Sequence, residues 1–369
     1  MLLETPLKEI QARMNAKFME FAGWHLPLYY VSPLKETLAV RNRCGVFDVS
    51  HMGRFWIEGK DAVKLLQKAT TNDMDVTPGR ARYTLFLNES GGIKDDEVIL
   101  RLEENVYLEV TNAATREKIL KWLHYLINKW DLDVKVKDIT FETVMLAVQG
   151  PKSEEIIEPY IQEGLDLRRY RGRRVIAFSS RASISRTGYT GEDGYEIIFW
   201  DVDKAKNAFE TLVHDEGVQP CGLGARDILR LEAGMCLYGS DIDENTTPVE
   251  ARLEFAVSME KGEFIGKEVV ASQKEKGVEI IRVGLLSESR RAPRRGDSVL
   301  WKSEVVGHVT SGTFSPTVRR GIAMAYVPPE IAEVGTQLIV KNKGEISVNI
   351  VKMPFYDTTR YGIRRKSKV

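Results

Sequence analysis

Between residues 82 and 137 the chain runs strand, strand, helix, strand, and that order limits the folds open to it. An apolar segment at 82–87 passes through Asn88-Glu89-Ser90-Gly91-Gly92 into a strand at 98–102, and 106–110 supplies its partner. Thr111 and Asn112 read as the cap of a helix over 113–130. Ile119, Trp122, Leu123, Leu126, Ile127 and Trp130 then fall on one face of it. A strand at 133–137 alternates apolar and charged residues, as a half-exposed strand does. This order is the signature of a ferredoxin-like α+β unit.

Inside that unit, Gly91-Gly92-Ile93-Lys94-Asp95-Asp96-Glu97 places two adjacent aspartates at the head of a strand. Asp is a poor strand former, so the pair needs a reason. One reason is a solvated hairpin turn. The other is a carboxylate held at the mouth of a pocket to meet a cationic or proton-bearing ligand. The residues alone leave both open.

The second half of the chain partly repeats the theme. Strands are expected at 143–148, 174–179 and 181–186, with a helix at 152–162 after Gly150-Pro151. Gly191-Glu192-Asp193-Gly194 is a second acidic turn, followed by a strand and a helix over 203–213. Two related α+β units are therefore expected, with a ligand between them meeting an acidic turn from each. From about residue 279 the pattern changes to short strands split by Gly and Pro, which points to a small β-barrel or sandwich.

At the start, spacings of three and four among Leu7, Ile10, Met14 and Phe18 predict a helix over 5–20. An aromatic loop at 21–30 and a short helix at 36–43 follow. Ser50 and His51 are neighbours on an expected strand and point to opposite faces, so they cannot act as a nucleophile–base pair. His51 reads as a hydrogen-bonded core residue. The Gly222-Leu223-Gly224 element lacks the spacing of a dinucleotide fingerprint. Arg226 sits near the start of its helix, where the dipole disfavours a cation, so a carboxylate or a ligand acceptor is expected beside it. The acids Asp241, Asp243 and Glu244 do not match the offsets of a calcium loop.

A chain of 369 residues is too long for one core, so two or three domains are expected. Formal net charge is zero, which gives no global attraction to nucleic acid or to an anionic membrane. Basic runs occur locally, at 290–295 and at Arg364, Arg365 and Lys366. Three scattered cysteines make neither a disulfide framework nor a zinc site. With no signal peptide and no bilayer-length apolar run, a cytoplasmic location is expected.

Blocks at 21–30, 47–53, 91–96, 147–151, 186–196, 221–239, 244–248, 264–268 and 310–317 together resemble the aminomethyltransferase (T-protein) family of the glycine cleavage system, in the same order and over essentially the full length. The resemblance implies an α+β fold: two interleaved ferredoxin-like units and a C-terminal β-barrel, in a cloverleaf around a folate channel. It implies residues 1–272 for the catalytic region, as about 1–50 with 138–245 and 51–137 with 246–272, and 273–369 for the barrel. Tetrahydrofolate is the implied acceptor and lipoylated H-protein the implied partner. Asp96 is the implied catalytic carboxylate and Glu196 the implied pterin-edge carboxylate, with Arg226 near it. Met52, Tyr83, Val98, Asn112 and Tyr189 fall in blocks that wall the folate. Arg360, Arg364 and Arg295 are candidates for its anionic tail.

Glu97 departs from the family, which has an aliphatic residue there; on a strand it points away from Asp96 and reads as a solvated surface residue. An iron–sulfur assembly protein of the same fold would carry a Cys in a Lys-Gly-Cys-Tyr motif, and Lys261-Gly262-Glu263-Phe264 has none. A folate-dependent demethylase and a non-catalytic folate-binding protein remain as alternatives, because fold and cofactor site do not fix the second substrate.

Overall fold

The structure is a computed structural model that describes residues 2–341 and 344–365. Two mixed α+β layers carry the first two-thirds of the chain. A six-stranded sheet runs in the order Gly172–Ala177, Ser180–Ser185, Gly194–Phe199, Val144–Gln149, Gly45–Asp48, Gln219–Pro220. It is antiparallel except for its last pair. A five-stranded antiparallel sheet runs Arg80–Leu87, Ile93–Glu103, Val106–Thr111, Gly53–Glu58, Lys135–Asp138. The chain therefore leaves the first sheet after Asp48, builds the whole second sheet, and returns at Val144.

Each sheet buries one face under helices. Phe55, Ile57, Ile99 and Tyr107 of the five-stranded sheet pack with Leu65 and Leu66 of the Ala62–Ala69 helix and with Ile119 and Leu123 of the Arg116–Trp130 helix. Leu146, Val148, Ile197 and Phe199 of the six-stranded sheet pack with Phe209 and Leu212 of the Val202–His214 helix. The remaining faces meet each other through Phe47, Ala81, Leu100, Leu108, Met145 and Ile198, joined by Ala225 and Leu229 of the Leu223–Glu232 helix. The last third forms a closed six-stranded barrel around Val283, Leu285, Ala323, Ala325, Val340 and Val348. Closure leaves no exposed sheet edge to pair with another chain. Among the described residues no helix is long and apolar enough to cross a membrane.

Helix starts follow local chemistry where the sequence supplies it. Ser32 accepts the backbone N–H of Lys35 at 3.2 Å and Pro33 opens the Pro33–Asn42 helix. Asp201 accepts two backbone N–H groups at 3.0 Å at the head of the Val202–His214 helix.

Three local expectations fail. The helix predicted over 5–20 ends at Arg13, and Lys17–Phe21 is instead a strand paired with Trp24–Tyr29. Asn15 at φ +61° breaks the helix, and Ala22 with Gly23, at φ +49° and +80°, makes the hairpin turn. The apolar spacing fits one helical face, but hairpin pairing wins the segment. Within the aromatic segment at 21–30, Trp24–Tyr29 is accordingly a strand rather than part of a loop. The helix predicted over 152–162 spans only Ser153–Ile157 before a 3-10 turn through Pro159.

Candidate active site

The Ile93–Glu103 strand places the two aspartates on opposite faces of the five-stranded sheet. Neither lies in a solvated turn: Asp95 is fully buried and Asp96 half-buried. The turn before them is fixed by contact, since a Cβ on Gly92 would lie 1.8 Å from the carbonyl oxygen of Glu244.

Asp96 is held at both oxygens. Asn112 donates its amide N–H to Oδ1 at 3.0 Å, and the Tyr83 hydroxyl donates to Oδ2 at 3.0 Å. Tyr83 opposes Val98 and Leu85 opposes Asp96, so Tyr83 reaches the acid diagonally across one sheet face. Burial, and then the neighbouring Asp95 charge, push the Asp96 carboxyl up to about 7, against the pull of the two hydrogen bonds.

Asp95 is the anchor beneath it. It accepts the hydroxyls of Thr111 and Thr115 at 2.6 Å and the Asn112 amide at 2.8 Å. Thr111 and Asn112 are thus not a helix cap. The helix starts at Arg116, and Thr115 at its N-cap makes no capping bond; its hydroxyl donates to Asp95.

Glu97 corrects the sequence reading. It does point away from Asp96, but onto the face covered by the Arg116–Trp130 helix, where it is 2 % exposed. There it meets Glu109, also buried, and among the described residues none of their four oxygens finds a donor from outside the pair. Burial, the Glu109 charge and the Asp95 charge hold the Glu97 carboxyl well above its ordinary range. Burial pushes Glu109 up to about 7, eased by the proton Glu97 offers it. The folded chain therefore holds protons that the unfolded chain releases near pH 4.5. Such groups cost nothing below that pH and cost stability progressively as pH rises through the folded values. The pair is therefore expected to remove stability as pH rises from about 4.5, where the unfolded carboxyls titrate, through the raised folded range. In urea unfolding at pH 5 and pH 8, the double variant Glu97→Val/Glu109→Val is expected to lose less stability on going to pH 8 than wild type. Equal losses would show that the pair is not the cause.

A cavity of about 590 Å³ opens beside this acid where hairpin, helix and barrel converge. Of the residues singled out from the sequence, Met52, Asn112, Tyr189, Arg226 and Arg295 line it. Val98 and Glu196 line a crevice of about 20 Å³ between the two sheets instead. Tyr83 and Asp96 join the cavity wall through Asn112. Arg360 is exposed and Arg364 is exposed, both outside that lining; Lys366 lies outside the described residues. Arg294 lines the cavity beside Arg295, so two guanidinium groups stand at the barrel side.

The wall is set by buried polar contacts. Arg54, fully buried, donates to the backbone carbonyls of Ser50, Met52 and Thr143 and to the Thr143 hydroxyl, fixing the turn that carries Met52. Among the described residues it has no carboxylate partner in an ion pair, and burial lowers it to about 10. Arg226 stacks over the Tyr189 ring at 4.8 Å. Burial lowers its affinity for the proton, while the Glu196 charge and then Tyr189 restore part of it. The Tyr189 hydroxyl donates to the Cys236 carbonyl. Glu196 accepts the Thr187 hydroxyl, and burial raises its carboxyl against that bond and the Arg226 charge.

His51 also lines the cavity, and it is not the hydrogen-bonded histidine expected: its Nδ1 is buried without a partner. Burial, Arg226 and Arg54 hold it down to about 3, so it is a neutral ring at physiological pH. The Ser50 hydroxyl bonds only to the Met145 backbone among the described residues, apart from His51. The second acidic turn does not reach the cavity. Glu192 pairs with Arg41 at 3.0 Å, and Asp193 accepts from Arg186 at 2.9 Å. Met19, which lines the cavity as well, carries no local signal in the sequence, whereas Phe21 opens the aromatic segment and Leu237 and Tyr238 fall in the 221–239 block.

The site is thus a cavity of apolar surface set with polar groups, Asp227 and several arginines among them, and the Asp96 carboxyl, poised near neutrality, adjoins it through Asn112. Family models agree with this geometry. Residues 7–261 match the GCVT N-terminal domain, and residues 282–357 match the glycine cleavage T-protein C-terminal barrel domain. The chain is 43% identical to an aminomethyltransferase of Rippkaea orientalis, covering 96% of this chain and 98% of that one. It is 41% identical to one of Thermotoga maritima, over 98% and 99% of the two chains. The crystal structure of glycine cleavage system aminomethyltransferase T from Bartonella henselae superposes with a TM-score of 0.91 at 35% identity, covering 98% of this chain and all of that one. The chain belongs to the aminomethyltransferase family, the T-proteins of the glycine cleavage system, and is a transferase.

Proposed function

We propose that the protein takes the aminomethyl group from the dihydrolipoyl arm of H-protein, passes its carbon to tetrahydrofolate as 5,10-methylenetetrahydrofolate, and releases ammonia, in the cytoplasm. The observation that carries this is Asp96: a half-buried carboxyl raised to about 7, oriented at both oxygens, and hydrogen-bonded to Asn112, which lines a large cavity. A group with that value exchanges protons readily at neutral pH.

The cavity suits the acceptor. Its volume falls in the range of ligand sites, and its lining is mostly apolar. The reduced folate, when bound, supplies the amine nitrogens that take up the one-carbon unit. The chain's own residues do the rest. Met52 and Tyr189 exclude water from the flat ring system, while Val98 lies in the crevice between the sheets. Arg226, which makes no ion pair among the described residues, faces an acceptor on the ring's edge, with the Glu196 charge acting on it from that crevice. Arg295 and Arg294 offer positive charge to the anionic tail, a role their place in the lining supports better than that of exposed Arg360. Asp96 as a carboxylate takes the proton released when the second carbon–nitrogen bond closes, and its charge stabilises the iminium-like cation before that. Tyr83 and Asn112 fix its direction.

The test is turnover of wild type with tetrahydrofolate and aminomethylated H-protein. Ammonia and methylenetetrahydrofolate are expected in equal amounts. Folate binding without ammonia release would assign the chain to demethylation or to folate binding alone.

A further inference from the structure

We propose that Phe255 is the landing surface for the apolar lipoyl arm on its way to Asp96, a reading that rests on the aminomethyl transfer proposed above. Phe255 is 73% exposed, more than any other large apolar side chain among the described residues. A single exposed apolar residue needs no explanation by itself. Its position and its mounting set Phe255 apart. Its ring stacks on Tyr83 with centroids 5.8 Å apart and planes 18° from parallel. The hydroxyl of that same Tyr83 donates to Asp96 at 3.0 Å. From the exposed ring to the reactive carboxyl there is one intervening side chain.

The mounting is stiff. Phe255 is the central residue of the 3-10 turn Glu254–Ala256. The buried Thr71 hydroxyl donates to the Ala256 carbonyl at 2.8 Å, and the Ser258 N–H donates to the Thr71 carbonyl at 2.9 Å. The backbone is pinned directly after the ring, so the ring is presented to solvent by a fixed frame and not by a loose loop. Ordering a landing surface in advance lowers the entropy lost on docking.

Two substrates must meet at Asp96, and its two oxygens look to different surroundings. Oδ1 is held by Asn112, which lines the large cavity; Oδ2 is held by Tyr83, which does not. The cavity takes the folate, which leaves the Tyr83–Phe255 side for the carrier. The arm is a run of methylenes ending in sulfur and a cationic aminomethyl group. Aromatic faces favour methylene and sulfur contact, and a cation next to an aromatic face and a carboxylate is favoured twice.

The experiment compares wild type, Phe255→Ala and Phe255→Leu in ammonia release, with two donors: aminomethylated H-protein, and free S-aminomethyl dihydrolipoamide. For Phe255→Ala, KM for both donors is expected to rise about tenfold. KM for tetrahydrofolate and kcat are expected to stay within about twofold, and Phe255→Leu is expected to recover most of the loss. An unchanged donor KM in an active enzyme overturns the proposal and leaves the transferase reading intact. A rise for H-protein alone, with the free arm unaffected, also overturns it, because Phe255 would then touch the carrier domain and not the arm. A parallel rise in folate KM overturns it too, since Phe255 would then merely support the Tyr83 wall. No turnover by wild type would remove the transferase reading, and this proposal with it.

Discussion

Replacing Asp96 with asparagine is expected to slow ammonia release on the order of 10²–10³-fold while tetrahydrofolate still binds. The substitution keeps the shape and removes the charge and the proton-accepting oxygen. Asn112 can still donate to the remaining carbonyl oxygen, and the new amide can donate to the Tyr83 hydroxyl, so the local frame survives. The folded protein should not weaken, because a buried charge next to Asp95 is relieved. Thermal unfolding therefore separates the two effects: the rate falls and the midpoint holds or rises. The pH profile gives a second readout. The wild-type Asp96 carboxyl, raised to about 7, is mostly protonated below that pH and cannot accept a proton there. Its kcat is expected to climb as pH rises through 7 and to level off above it, whereas the variant's lacks that climb. An Asp96→Asn enzyme retaining more than about a tenth of the wild-type rate would remove Asp96 from the proton-transfer role.

What the sequence disclosed about this site was local in origin. Two aspartates after a Gly pair, at the head of an apolar strand, are visible in a window of a few residues, and the α+β order around them is equally visible. Strand alternation correctly turned Glu97 away from Asp96. It could not say that a helix covers the opposite face, so a buried glutamate looked like a surface one. Thr111 and Asn112 resemble caps because the short polar side chains that accept a helix's free N–H groups can equally donate to a carboxylate. Which partner wins depends on the neighbouring strand, 16 or 17 residues away. The 5–20 segment had the spacing of a helix, and the turn at Ala22-Gly23 that converts it to a hairpin depends on backbone angles no periodicity encodes. His51 was placed in the interior correctly, but its lack of a partner follows from which side chains converge there. The cavity itself draws on residues from Met19 to Gly312, a span no local pattern can join.

Arg41 is the extreme case of such long-range dependence, and Arg41→Met is expected to destabilise the protein by about 3–5 kcal/mol. The guanidinium is fully buried. It donates to the carboxylates of Glu232 at 2.9 Å and Glu192 at 3.0 Å, and to the carbonyls of Thr190 and Leu229 at 2.9 and 3.2 Å. The Tyr356 ring lies over it at 4.5 Å. Glu232 in turn accepts the hydroxyls of Ser315 and Thr317 from the barrel, and Glu192 accepts the Gly362 N–H and Arg365 from the C-terminal segment. One cation thus neutralises two buried acids that tie the first helix layer, the barrel and the C-terminal segment together. Methionine fills similar volume but leaves both acids without their shared counter-charge, which costs far more than the lost packing. Arg365 still reaches Glu192 and the barrel hydroxyls still reach Glu232, so the loss should fall short of complete unfolding. The triple change Arg41→Met/Glu192→Gln/Glu232→Gln removes the uncompensated charges together and is expected to regain a large part of the stability. Urea unfolding of the three proteins at pH 7 decides the matter. A single variant as stable as wild type would mean that the ion cluster contributes nothing. A triple variant no better than the single would place the cost in packing around Tyr356, not in charge.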